Sequence, residues 1–273
     1  MPTTLALKSK SVRLVIADVD GTLVTSEKRL TAGARSAVRK LHAAGIKFAI
    51  TSGRPPRGMS MLVRPLQITT PIAAFNGGLF VRPDLTIIDQ KVLPADVAHK
   101  VLQAVMDHHL DVWVYRGQDW WVLNKNGPHV ERESWTVKFK PKITADMDKV
   151  LAQVVKIVGV SDDFAAVARA ETDVRRDFGQ HVSAARSQPY YLDITHPDAN
   201  KGGVVRRLSR ELKIPMAQIA TIGDMPNDVL MFALSGISIA MGNADSQVQR
   251  AARHVTASNE EDGFALAVEK YIL

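Results

Sequence analysis

The sequence predicts an α/β protein, a doubly wound parallel sheet whose chain is interrupted by an α+β insert. Three observations predict it. Short β-branched apolar runs end abruptly in polar and glycine residues, and an amphipathic helical stretch separates the first two. The same alternation resumes after residue 200. Between these stretches, strand pairs mix with helices in the manner of an antiparallel sheet.

The elements follow in order. Val12–Ala17 reads as a buried strand that stops at Asp18-Val19-Asp20-Gly21-Thr22. Thr31 is placed to cap a helix whose apolar face is Ala34, Ala37, Val38, Leu41 and Ala44, with Gly45 just past its end. Ile46–Ile50 is a second buried strand, ending in Thr51-Ser52-Gly53-Arg54. Strand, helix, strand with short links is a βαβ unit, so the core is expected to be Rossmann-like and parallel. Met59, Leu62, Val63 and Leu66 suggest a further helix, and Ile72–Phe75 a strand ending at Asn76-Gly77-Gly78.

Beyond residue 82 the pattern changes. Leu85–Leu93 reads as extended chain, Pro94–His109 as helix, and Val112–Leu123 as a hairpin about Gly117-Gln118-Asp119. Val154–Val160 is a valine-rich strand and 162–179 a helix. The parallel pattern returns with a helix over Lys201–Leu212, a strand over Ile219–Ile222 ending in Gly223-Asp224, a helix from about Asn227 and a strand over Gly236–Met241. The expected division is a core of residues 1–82 and 191–273 with an insert of residues 83–190. No internal repeat or low-complexity segment is present.

Composition narrows the chemistry. The 273 residues suit one large or two ordinary domains, and 46% hydrophobic with 23% charged content is that of a soluble globular protein. The absence of cysteine excludes disulfides, thiolate zinc sites and cysteine nucleophiles. Met1–Lys10 has no run that suits a signal peptide, and no stretch reaches the ~20 apolar residues of a membrane span, so a cytoplasmic enzyme is expected. The net charge of +7 is concentrated: residues 1–82 carry 13 Lys/Arg against 3 Asp/Glu, or +10. That excess fits attraction of anionic substrates, nucleic-acid binding or solvated helix faces.

The residues that carry chemistry gather at predicted strand ends. Asp18 and Asp20 lie two apart on extended backbone, hence on one side, where open parallel sheets place ligands. They suit a cation, a nucleophile paired with an acid/base group, or a polar turn capping the next element. Ser52 beside Gly53 suits a phosphoryl oxygen or a helix cap. Lys201, opening a helix, suits phosphate or a carboxylate. Asp224, Asn227 and Asp228 put two carboxylates and an amide within five positions, more than capping needs. Four converging carboxylates would repel one another unless a cation or protonation relieved them, which points to Mg2+.

This ordered constellation resembles the haloacid dehalogenase superfamily of phosphatases, and within it the Cof-type branch with its large class IIB cap. The resemblance spans roughly residues 10–82 and 190–273; the insert matches in length, position and α+β character. It implies that Asp18 is the nucleophile and forms an aspartyl-phosphate. Asp20 would protonate the leaving alcohol and then activate water, and Lys201 would orient Asp18. Ser52, Gly53, Lys201 and Asn227 would bind phosphate. Asp18, the Asp20 carbonyl, Asp224 and, through water, Asp228 would hold Mg2+. Asn76 and Arg54 become candidate substrate contacts, although a turn and a salt bridge at a helix start explain them as well.

The expected function is therefore magnesium-dependent hydrolysis of a small phosphate monoester, a sugar phosphate. Phosphotransfer or mutase action on a sugar phosphate is the neighbouring alternative. A nucleic-acid role for the basic first third competes poorly, because its basic residues are scattered and not interleaved with aromatics. No membrane partner is expected. The four tryptophans, at 113, 120, 121 and 135, suit either a stacking face or a small-domain core, and none of the eight histidines has a metal-ligand pattern. Substrate identity and oligomeric state are not legible in the sequence.

Overall fold

The computed structural model describes residues 12–273; the Met1–Lys10 stretch lies outside them. The chain forms two compact units, one of residues up to Ala49 with Val205–Leu273, the other of Ile50–Val204. The first opens with β1 (Leu14–Asp18), α1 (Ala32–Ala43) and β2 (Lys47–Thr51), whose last residues enter the second unit. There follow α2 (Ser60–Val63), β3 (Ile72–Ala74), β4 (Leu79–Val81), β5 (Ile87–Gln90) and α3 (Ala95–Asp107). Next come β6 (Asp111–Arg116), β7 (Asp119–Val122), α4 (Val130–Val137), β8 (Lys142–Ile143) and β9 (Val154–Val160). α5 (Phe164–Phe178), β10 (Ser183–Gln188), β11 (Tyr191–Thr195) and the start of α6 (Lys201–Leu212) complete the second unit. The chain then returns through β12 (Ile219–Gly223), α7 (Val229–Phe232), β13 (Ile237–Ala240), α8 (Ser246–Ala251), β14 (His254–Val255) and α9 (Gly263–Tyr271).

The first unit carries the expected parallel sheet, in the order β14-β13-β12-β1-β2. β1 pairs with β12, β12 with β13 and β13 with β14, all parallel. Every residue of β1 and of β12 is buried, as continuous apolar runs must be when helices cover both faces. Thr31 caps α1 by accepting from the Ala34 amide at 3.0 Å, and α1 packs against α9. Phe48 of β2 meets Phe264 of α9 edge to face at 5.8 Å.

In the second unit Thr51 pairs in parallel with Ala73, and β3, β4 and β5 follow antiparallel. A six-stranded sheet has the order β10-β11-β9-β6-β7-β8, antiparallel except for the β7–β8 pair. α3 and α5 bury Val101, Val105, Val167 and Val174 with Val114, Ile157 and Leu192 of this sheet. Trp113 and Trp120 are buried, 5.0 Å apart, so these two tryptophans are core; Trp135 is exposed. The helix expected over residues 59–66 shrinks to a 3₁₀ turn, Pro56–Met59, and the single turn of α2. Pro65 interrupts it by having no amide to give to the Met61 carbonyl, although Arg64 keeps helical backbone (φ −67°, ψ −48°) and the Leu66 amide still donates to the Leu62 carbonyl at 3.1 Å. No helix among the described residues is long and apolar enough to cross a membrane.

Candidate active site

The register of β1 on β12 places Ala17 opposite Ile222, so Asp18, the last residue of β1, and Asp224, just past the end of β12, emerge at neighbouring strand ends. A tight turn returns Asp228 to the same place. Asp18, Asp224 and Asp228 are all buried, and each offers a carboxylate oxygen within 4.8 Å of the others. The sequence supplies the orientation locally. Asp228 Oδ2 accepts from the amides of Asp224 and Met225, both at 2.9 Å, which fixes the turn and the carboxylate together. Thr22 donates its hydroxyl to Asp224 Oδ1 at 2.8 Å.

Gly21 makes the close approach possible. Its φ of +78° is left-handed, and a Cβ there would stand 2.2 Å from Asp224 Oδ2. Asn243, in the loop after β13, ties the arrangement by donating to the Gly21 carbonyl at 2.9 Å and to Asp224 Oδ2 at 3.4 Å. Gly21→Ala is therefore expected to cost roughly 1–3 kcal/mol, from strained backbone and a displaced Asp224. A lower urea midpoint at unchanged m value would show it.

Asp20 is not a member of that trio. Its Oδ1 lies 2.7 Å from Lys28 Nζ, in the loop between β1 and α1. Asn227 is exposed in the one-turn 3₁₀ segment Pro226–Asp228.

In the second unit, Ser52 is buried just past β2, and its hydroxyl accepts from the Arg54 amide at 3.1 Å. The Asn76 backbone N–H donates to the Ser52 carbonyl at 2.8 Å, and Gly53 faces the Asn76 side chain, 3.7 Å from where a Cβ would stand. Phe75 and Asn76 both have left-handed φ, +49° and +56°, a costly setting for non-glycine residues. The Arg54 guanidinium is buried and donates to the Gly58 carbonyl at 2.9 Å, so it holds the 54–58 loop. Lys201 is buried at the first position of α6, where Asn200 caps the helix by accepting from the Gly203 amide at 2.9 Å. A Cβ on Gly77 would meet Val204 and the Asn200 carbonyl, so the loop bearing Asn76 lies against this first turn.

The family model of the haloacid dehalogenase-like hydrolases matches residues 15–268. The chain belongs to that family. A 5-amino-6-(5-phospho-D-ribitylamino)uracil phosphatase of Bacillus subtilis is 29% identical over 94% of this chain and 97% of its own. A haloacid dehalogenase-like hydrolase of Bacteroides thetaiotaomicron has the same fold, with a TM-score of 0.88 at 27% identity over 95% of this chain and 99% of that one. A HAD subclass IIB sugar phosphatase superposes with a TM-score of 0.82 at 22% identity over 96% and 100% of the two chains. The family expected from the four motifs is thus upheld, and the haloacid dehalogenase-like protein is a phosphatase.

The buried trio fits a divalent cation. Hard carboxylate oxygens are its preferred donors, and three of them drawn together without a cation would repel in a low-dielectric setting. Three contributors escaped the sequence reading. Thr22 stands in the first motif but acts through Asp224 and not on a ligand; Asn243 lies in a Gly-Asn-Ala turn with no distinguishing spacing. Lys28 escaped too, because a loop lysine ten positions from Asp18 carries no local signal.

Proposed function

We propose that this haloacid dehalogenase-like phosphatase hydrolyses small phosphate monoesters, sugar phosphates among them, through an aspartyl-phosphate on Asp18. The buried convergence of Asp18, Asp224 and Asp228 at adjacent strand ends supports this reading most strongly. The ribityl phosphatase named above, whose substrate name places the phosphate on a polyol chain, supports the substrate class. The excess of basic residues before residue 83 favours anionic substrates. The core of residues 1–82 and 191–273 would carry the chemistry in the cytoplasm, and the insert of residues 83–190 would select the substrate.

In the first step an Asp18 oxygen attacks phosphorus, the bond to the ester oxygen breaks, and Asp20 gives that oxygen its proton. In the second, the Asp20 carboxylate takes a proton from water, whose oxygen attacks phosphorus. The bond to Asp18 then breaks, releasing inorganic phosphate. Ser52, Gly53, Lys201 and Asn227 would hold the phosphoryl oxygens, Lys201 would also orient Asp18, and Asn76 and Arg54 would border the substrate. Asp18, the Asp20 carbonyl, Asp224 and, through water, Asp228 would hold Mg2+. When bound, the ion supplies positive charge that neutralises the phosphoryl oxygens and the carboxylates around them.

The test is phosphate release across a panel of aryl and sugar phosphates with and without Mg2+. Metal-dependent release, with sugar phosphates among the better substrates by kcat/KM, is expected. No release from any ester, or isomer formation from a hexose monophosphate without free phosphate, would overturn it.

A further inference from the structure

Lys28 stands out because it reaches back from its loop to Asp20, at 2.7 Å, with its side chain only 20% exposed. Loop lysines ordinarily extend into water. The loop is built to aim it. Val24 bridges to Asp20 on one side and to Leu30 on the other. The Lys28 amide donates to the Thr25 carbonyl at 2.9 Å, the Thr25 amide to the Arg29 carbonyl at 3.0 Å, and the Arg29 amide to the Thr25 hydroxyl at 3.2 Å. Lys28 itself has a φ of +56°, at the point where the loop turns back. The C-terminal part of the same unit clamps the loop from outside. Glu260 accepts from the Ser26 amide at 2.6 Å, and Asn259 donates its side-chain amide to the Val24 carbonyl at 3.0 Å.

A partly exposed ion pair contributes little to stability, so the fold alone does not explain so constrained a lysine. Orientation does. A general acid must hold its proton within hydrogen-bond reach of the ester oxygen, and small misplacements of a reacting group carry large rate penalties. We propose that Lys28 is a positioning residue which anchors one oxygen of Asp20 and so sets the carboxyl group for proton delivery to the leaving group. The proposal rests on the reading of Asp20 as the acid/base group.

Leaving-group dependence tests it. kcat/KM reports steps up to departure of the leaving group, and a nitrophenolate departs without a proton whereas an alkoxide needs one. For the alkyl phosphate with the highest turnover in the panel, kcat/KM of Lys28→Met is expected to fall by about tenfold to a hundredfold. For 4-nitrophenyl phosphate it stays within about twofold, and Lys28→Arg recovers most of the alkyl loss. Unchanged values with both esters, equal losses with both, or an arginine variant no better than methionine would overturn it. Asp20→Asn, measured alongside, separates the two readings. A leaving-group-dependent loss there without one in Lys28→Met sinks only the role of Lys28. No such loss in Asp20→Asn sinks the acid/base reading itself.

Discussion

Asp18→Asn is expected to lower kcat for every phosphate ester by on the order of 10³-fold or more, with the fold intact. Asparagine keeps the size and shape of the side chain at a position buried at the end of β1, so the packing around it is preserved. What it loses is the anionic oxygen. A neutral amide is too poor a nucleophile to form the acyl phosphate, and without it the two-step route closes. The change also removes one negative charge from a group of three carboxylates drawn within 4.8 Å, so any effect on stability is small. KM for a good substrate should move far less than kcat, because the proposed phosphate contacts lie on other residues. Steady-state kinetics and a thermal melt check both halves of the expectation. An Asp18→Asn protein with wild-type turnover and an unchanged melting curve would place the nucleophile elsewhere.

The site that makes this prediction was legible because its residues sit where the strong sequence signals end. β1 and β12 are largely apolar and buried throughout, so their C-terminal ends, expected at Ala17 and Ile222 and found at Asp18 and Gly223, could be placed to within one residue. β9 and α6 have the bounds their patterns predict. Elements without an apolar face to announce them were missed. β10 is exposed at five of its six residues, and α4 is bracketed by His129 and Lys138 in left-handed conformations that no glycine marks. α9 did carry a signal: Ser258 and Glu261 form a capping box just before it. Asn243 and Lys28 illustrate a different limit. Each acts on a partner more than seven residues away in sequence, Asp224 for the first and Asp20 for the second, and only the folded loop brings the pair together.

Removing divalent cations should abolish phosphate release and lower the melting temperature of the unit that holds the trio, and Mg2+ should restore both. An ion that binds only the folded state at a hundredfold excess over Kd stabilises it by about 2.7 kcal/mol. For a unit of this size that corresponds to roughly 10 °C. Asp224→Asn separates the metal site from the fold. The amide keeps one acceptor, which can still take the Thr22 hydroxyl, but its nitrogen then faces the Asn243 amide, donor toward donor. Against that cost, one carboxylate leaves a crowded acidic group, so the metal-free variant should melt within a few degrees of the metal-free parent. Its response to Mg2+ is the part expected to vanish, together with about 10²-fold or more of kcat, because a neutral amide is a weaker ligand for a hard cation than a carboxylate. Melting curves with chelator and with graded Mg2+, run on both proteins, read the difference directly. Full activity in excess chelator, or an Asp224→Asn melt that still rises with Mg2+ as the parent does, would show that these three carboxylates are not where the metal binds.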